Sequence, residues 1–318
     1  MKKTNSPFWV IVRKEIADTI RSWKFIIMVA IIILTCCGAL YTSLANFSSA
    51  VKQNGANDFF FLKLFTISNG TLPSFYTFIS FLGPLLGISM GFDAINSEQN
   101  RGTMSRILAQ PIYRDYIINA KFIASLIILS VLFIVLNLLV IGFGLIFIGI
   151  PPTTSEFLRI VSFTLITIVY IAFWLNLAIL FSVIFKQTAT SALAGIAVWI
   201  FFSIFYVMII NLIASGLEPK GYVSRGEMLQ IQYFLQNLLR INPEQLFNDA
   251  SVTLLIPSVR SLGVLTPSQT IGAIPNPLPL GQSWMIIWPQ ITALISGTVL
   301  FFALAYHSFM RREIRSRN

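Results

Sequence analysis

Long stretches of the chain carry no Asp, Glu, Lys or Arg: 25–51, 64–92, 122–155, 160–185, 187–217 and 261–310. Each exceeds the roughly 20 residues that a helix needs to cross a hydrocarbon core about 30 Å thick. Membrane strands would be shorter and would alternate in polarity, so these runs predict helices. Pro, Gly and Ser crowd 261–283, which places the start of the last helix near Trp284. The predicted spans are 25–46, 73–95, 117–149, 158–185, 189–214 and 284–309. The pattern therefore predicts an all-α integral membrane protein, with one six-helix transmembrane domain covering 1–318.

The segments between the spans have patterns of their own. In 1–24, Trp9, Val12, Ile16, Ile20 and Trp23 recur at spacings of three and four, one face of a helix, with Arg13, Lys14, Asp18 and Arg21 on the others. A basic helix with tryptophan on its apolar side is expected to lie in the membrane interface. The loop 96–116 reads as one short charged helix, capped by Asn96 or Ser97 and stopped by Pro111. Within 215–283, Ser224-x-x-Glu227 is a capping box ahead of an apolar stripe running from Met228 to Leu239. Asn242-Pro243, with Gln245 as box partner, starts a second helix expected to run to about Ile256. A proline-rich return comes next. This segment predicts a small helical extracellular cap between spans five and six, resting on the membrane or on the bundle.

Composition narrows the picture further. Residues are 56% hydrophobic and 11% charged, less than half the charge of an ordinary soluble domain, and the mean hydropathy is +0.78. With the N-terminus placed in the cytoplasm, 15 of the 22 Lys and Arg fall in inner segments and 7 in outer ones, while the acidic residues divide evenly. The positive-inside rule then puts both termini in the cytoplasm. The net charge of +10 is explained by topology and anionic lipid, with no need for nucleic acid. The basic region before the first span is too long for a secretory signal, so that span is expected to be retained.

Several chemistries lack their residues. A P-loop needs Gly-Lys, a dipeptide found nowhere in the chain. One histidine, His307, and two adjacent cysteines, Cys36 and Cys37, cannot build a multi-histidine or four-cysteine metal site. No G-x-S-x-G serine accompanies His307. Ionisable residues, which normally mark proton or ion paths in membranes, are essentially absent from the spans, with Asp93 near the inner end of span two and Arg159 near the outer end of span four. Asn137 and Asn176 lie deep in spans three and four; each suits an interhelical hydrogen bond or the lining of a substrate path. Gly83, Pro84, Gly87 and Gly91 allow close helix approach or a bend in span two.

The loop after span two carries a resemblance. Asp93, Ile95, Glu98, Gly102, Thr103, Leu108, Pro111 and Arg114 match, in order, the D-x-I-x-x-E-x-x-x-G-T, leucine, proline, arginine pattern of the type-2 ATP-binding-cassette (ABC) exporter permeases. The branch resembled includes permeases of nitrous-oxide-reductase maturation and of bacitracin- or drug-type export. That family often has Gly-Lys next; here it is Ala120-Lys121, a departure that keeps the lysine. Asn242-Pro243, Leu246-Phe247, Asp249-Ala250, Leu254-Leu255, Pro257 and Pro277-Leu278-Pro279-Leu280 fit as well. The resemblance covers nearly the whole chain, and its force lies in the ordered set.

The resemblance implies a permease subunit of an ABC exporter, in the plasma membrane of a prokaryotic source. It would pair with a second permease, identical or homologous, and dock a separate cytoplasmic ABC ATPase. ATP and Mg would bind on that partner, with no cofactor held by this chain. Asp93, Glu98, Arg101, Gly102, Thr103, Pro111 and Arg114 would form the ATPase-coupling loop. The cargo would be hydrophobic: lipid-like, a peptide or a drug. Two other readings remain open at this point: a non-enzymatic membrane assembly or immunity factor, and an integral-membrane enzyme.

Overall fold

The computed structural model describes residues 7–54, 59–68, 73–110, 112–149, 151–217, 225–258 and 277–311. Among these there is no strand. Six helical segments are long and apolar enough to cross a membrane: Trp23–Tyr41, Phe75–Asn100, Arg114–Phe147, Thr154–Ile184, Thr188–Gly216 and Leu280–Arg311. In chain order the helices are α1 (Pro7–Ile20), α2 (Trp23–Asn54), α3 (Phe60–Thr66), α4 (Phe75–Gly91), α5 (Asn96–Asn100), α6 (Thr103–Leu108) and α7 (Arg114–Ile148). Then come α8 (Thr154–Ile184), α9 (Thr188–Ile200), a π turn (Phe201–Phe205), α10 (Tyr206–Gly216), α11 (Arg225–Leu239), α12 (Pro243–Leu255) and α13 (Leu280–Arg311).

The bundle is organised around α8, whose residues are buried on most of its circumference. It starts with a full capping box: Thr153 Oγ1 accepts from Glu156 N, and Glu156 Oε2 accepts from Thr153 N at 2.8 Å. α4 lies against α8 along its glycines. A Cβ on Gly87 would stand 2.8 Å from Ile171 O, and one on Gly91 would stand 2.7 Å from Leu175 O, so only glycine permits this backbone approach. Pro84 has no N–H to give to Ser80 O. Tyr170 Oη from α8 donates to that freed carbonyl at 2.9 Å, so the proline becomes an interhelical tie.

Polar side chains join α7 and α13 to α8. Asn137 Nδ2 on α7 donates to Thr164 Oγ1 at 3.0 Å, and Asn176 Nδ2 donates to Thr298 O on α13 at 3.2 Å. On α1, Val12 is buried against Ala120 and Ala124 of α7, whose small side chains let the helix settle there. Trp9, Ile20 and Trp23 of the same apolar stripe remain exposed.

Three features differ from the sequence expectations. α3 is an additional helix; its Phe61, Leu62, Leu64 and Phe65 are buried, and Phe61 N donates to Glu156 Oε1 at 2.8 Å. The 96–116 loop forms two short helices, because Gly102 adopts φ +67° between them. The second helix of the 215–283 segment, α12, packs into the bundle where a surface-resting segment was expected. Phe247 of α12 stacks on Tyr170 at 4.4 Å between ring centroids, about 24 Å along α8 from its start at 1.5 Å per residue. The expected N-cap at Asn242 is present, accepting from Glu244 N at 2.9 Å. Gln245 turns instead to Asp249, at 2.6 Å, so no capping box closes. The Ser224 part of the other predicted box and the return at 259–276 lie outside the described residues.

Candidate functional site

The chain leaves α4 through a turn at 92–95, and α8 fixes the start of the next helix. Ser182 Oγ, near the last turn of α8, accepts from Ile95 N at 2.9 Å and from Asn96 N at 3.2 Å. These are two of the orphan amides at the start of α5, so a serine of another helix does the capping expected of Asn96 or Ser97. Asn96 is fully buried and donates to Phe92 O at 3.1 Å. At the end of α5 the left-handed Gly102 turns the chain into α6. A Cβ there would meet nothing within 4 Å. The need for glycine is therefore conformational, since left-handed φ strains other residues. Thr103 Oγ1 donates back to Glu98 O at 3.2 Å, and Met104 buries the inner face of α6. Arg101, Gly102, Ser105 and Arg106 form an exposed rim.

Beneath that rim lies a closed ring of alternating charges. Lys121 Nζ of α7 stands 2.8 Å from Glu98 Oε1 and 3.0 Å from Glu15 Oε2 of α1. Lys14 Nζ stands 3.0 Å from Glu15 Oε1 and 3.9 Å from Glu98 Oε1. Asp18 also reaches Lys14, at 3.4 Å. Lys121 is buried, 7% exposed, and a charge so placed needs partners of opposite sign. Burial pushes the Glu15 carboxyl up, but the Lys121 and Lys14 ammonium groups outweigh it and hold it below its usual range. Burial pulls the Lys14 ammonium down, and its carboxylate neighbours, Glu15 foremost, raise it above its usual value.

The other predicted site residues are distributed around this ring. Asp93 takes both its oxygens to Lys24 Nζ of α2 at 2.7 Å, and the same ammonium sits 5.3 Å from the centre of the Phe92 ring. Arg114 turns to the end of α13, donating to Phe309 O at 2.6 Å and lying over the Phe309 ring. Glu98 is in the ring, Arg101 and Gly102 are on the rim, and Thr103 is between. Pro111 lies outside the described residues. Asn137 is not part of this site: it lies 16 residues beyond Lys121 on α7, about 24 Å away at helical rise. Asn176 is buried in the α8–α13 seam, also apart from the rim.

Sequence reasoning missed Glu15, Lys14, Lys24 and Ser182. It noted Lys121 as the lysine kept where the resembled family has Gly-Lys, without a partner for it. The signal for Lys121 was present, since a lysine flanked by Ile117, Ile118, Phe122 and Ala124 falls on a helix wall with no polar face. Among the described residues no group of three or more His, Cys, Asp or Glu comes together to hold a metal.

Six helices apolar enough to cross a membrane, and a charged two-helix turn braced by an amphipathic helix, define a multi-pass membrane protein with a structured charged loop. The chain matches the sequence profile of the ABC-2 family transporter proteins over residues 9–314, and it belongs to that family. It is similar to a "Probable ABC transporter permease protein NosY" of Pseudomonas aeruginosa, 25% identical over 316 residues, 96% of this chain and 98% of the relative. It is likewise similar to the protein of the same description from Stutzerimonas stutzeri, 27% identical over 315 residues, again 96% and 98%. The chain is thus a membrane permease of the ABC transporter class.

Proposed function

We propose that the exposed face of 96–108, with α1 beside it, is the surface on which a separate cytoplasmic ABC ATPase docks, and that ATP turnover there drives export through this permease and a second copy or homologue. ATP and Mg belong to the ATPase. The observation that carries this reading is the Gly102 turn. Its left-handed backbone presents Arg101, Ser105 and Arg106 outward while Glu98 and Met104 anchor the same segment inward. A merely connecting loop has no need of such a two-sided build. Asp93, Glu98, Thr103 and Arg114 hold the segment to its neighbours, and Pro111 is assigned to its exit.

The cargo that suits this bundle is hydrophobic: lipid-like, peptide or drug. A groove of about 280 Å³ opens between α2, α4 and α9, and Met28, Ile31, Leu85, Phe92 and Ile196 line it with Ser89 as a polar contact. Apolar lining of this kind favours apolar ligands. Asn137 and Asn176 serve helix packing in this reading, since both amides are used on neighbouring helices.

The test is purification of the tagged protein from its own host in mild detergent, with mass spectrometry of what accompanies it. A stoichiometric soluble protein bearing a P-loop is expected. Gly102→Val, which puts a β-branched residue at positive φ and costs about 1–2 kcal/mol locally, is expected to cut that recovery severalfold. Gly102→Asn, which tolerates left-handed φ, is expected to cut it less. A permease that never co-purifies with an ATPase overturns the proposal.

A further inference from the structure

We infer that Lys121 is the positioning residue of the coupling contact: its one buried ammonium, shared by Glu15 and Glu98, clamps α1 and the 96–108 segment to α7 as a single body. This rests on the docking role proposed above. A load applied at the exposed rim then enters the bundle through α7.

Each piece has its own separate anchor. α1 is fastened to α7 by Val12 on Ala120 and Ala124. The start of α5 is fastened to α8 by Ser182. The polar ties between α1 and α5 are ionic and run through Lys121 and Lys14, while Ile16 of α1 also packs on the main apolar core. The two lysines are not equivalent. The Lys14 side chain is 53% exposed and its contact to Glu98 is long, at 3.9 Å, so water and salt weaken it. The Lys121 side chain is 8% exposed, with its carboxylate partners at 16% and 13%, so its attractions are little screened. Removing a buried charge from such a ring leaves its partners desolvated and facing one another. Without Lys121, Glu15 and Glu98 would have only the exposed Lys14 between them.

Placement gives the clamp its direction. Lys121 is seven residues, about two turns, inside the start of α7, on the wall that carries the buried Ile117, Ile118 and Ala124. An ammonium there is fixed to the span itself, whereas α1 and α5 are short pieces outside it. Lys121 is thus the point where the docking face meets a membrane helix.

The test uses hydrogen–deuterium exchange on the full chain in mild detergent, then the same measurement on its complex with the co-purifying ATPase, with and without ATP and vanadate. Lys121→Met is expected to speed exchange in 7–20 and 96–108 together, by about tenfold, since hydrogen bonds to charged groups are at stake. Lys121→Arg, which restores the cation, is expected to stay within about twofold of the native protein. In the complex, Lys121→Met should keep the ATPase bound and keep the nucleotide response of 96–108, yet lose the response along 114–148. Should Lys121→Met fail to fold, Glu98→Gln serves instead, and it is expected to loosen 96–108 while sparing 7–20. Loosening of only one segment in Lys121→Met, or an intact nucleotide response along 114–148, overturns the inference. If the native chain binds no ATPase, the docking role falls and the positioning role with it, while paired loosening would still leave the mechanical clamp standing.

Discussion

At the loop end of the bundle three helices converge on an ammonium group, while at the cap end three segments converge on a guanidinium. Lys121 answers to two carboxylates inside a ring of alternating charge. Arg159, fully buried, answers to neutral acceptors. It donates to Leu254 O at 3.0 Å, to Ser283 Oγ at 3.3 Å and to Leu278 O, and lies over the Phe59 ring. Among the described residues it has no ion pair. The Leu254 carbonyl belongs to the last turn of α12, where the helix dipole favours a cation. Carboxylates can be protonated or screened; backbone carbonyls cannot. The difference teaches that the tie at Lys121 responds to salt and acid, while the tie at Arg159 does not.

The largest effect that would sharpen this contrast is expected from Arg159→Met. It strips three acceptors of their donor at a buried site, for about 3 kcal/mol. The thermal midpoint in detergent should fall by about 6 °C, nearly independent of salt between 0.1 and 0.5 M. A strongly salt-dependent drop would mean that an unseen anion shares the site and would break the comparison. A smaller effect is expected from salt on the native protein. Raising it to 0.5 M should speed amide exchange in 7–20 by about twofold to fivefold through the exposed Lys14 pairs, and leave 251–255, the end of α12 that Arg159 holds, unchanged; equal acceleration at both ends would refute the distinction.

The smallest expected effect is a pH dependence of opposite sign at the two ends. Glu15 has its folded pKa held below its ordinary 4.5. Its contribution is complete above that value and disappears as pH falls through the folded pKa. Burial raises Glu244 above 4.5, partly offset by the Ser203 hydroxyl, and raises Asp249 above 3.8, partly offset by Gln245 and Arg240. Their contribution is complete below those ordinary values and is lost as pH climbs through the raised ones. Exchange at 7–20 should quicken on acidification below about 4.5, while 243–255 should quicken on raising pH above it. Parallel responses would show that the two ends do not titrate independently.

Much of the fold was legible along the chain. Charge-free runs mark six helices long and apolar enough to cross a membrane, because excluding charge from hydrocarbon is a local property of each segment. Proline at the start of α12 and the glycines of α4 were readable for the same reason. α3 escaped because a seven-residue apolar helix gives no period long enough to separate from a loop. The split at Gly102 depends on a single φ. At the site, Glu98, Gly102 and Thr103 stood out through an ordered motif, but Glu15 and Lys121 are 106 residues apart. What makes them a pair is the docking of α1 on Ala120 and Ala124, a packing event that spacing alone does not encode. The depth to which Phe247 reaches likewise depends on Tyr170 offering its ring.

The π turn at 201–205 gives the fifth crossing the character of a helix with one residue inserted. Each added residue rotates the rest of the helix by about 100°, so α9 and α10 do not share a common register. Asn242 Nδ2 donates to Phe202 O inside the turn at 2.9 Å, and Tyr206 Oη just beyond it donates to Leu238 O at 2.6 Å. The insertion is thus spliced to the cap on both sides. A lineage that lost the extra residue would turn Tyr206 away from α11 and present a different wall of α10 to its neighbours. This crossing therefore consists of two half-helices with separate faces, and the face that α9 turns to its neighbours does not continue into α10.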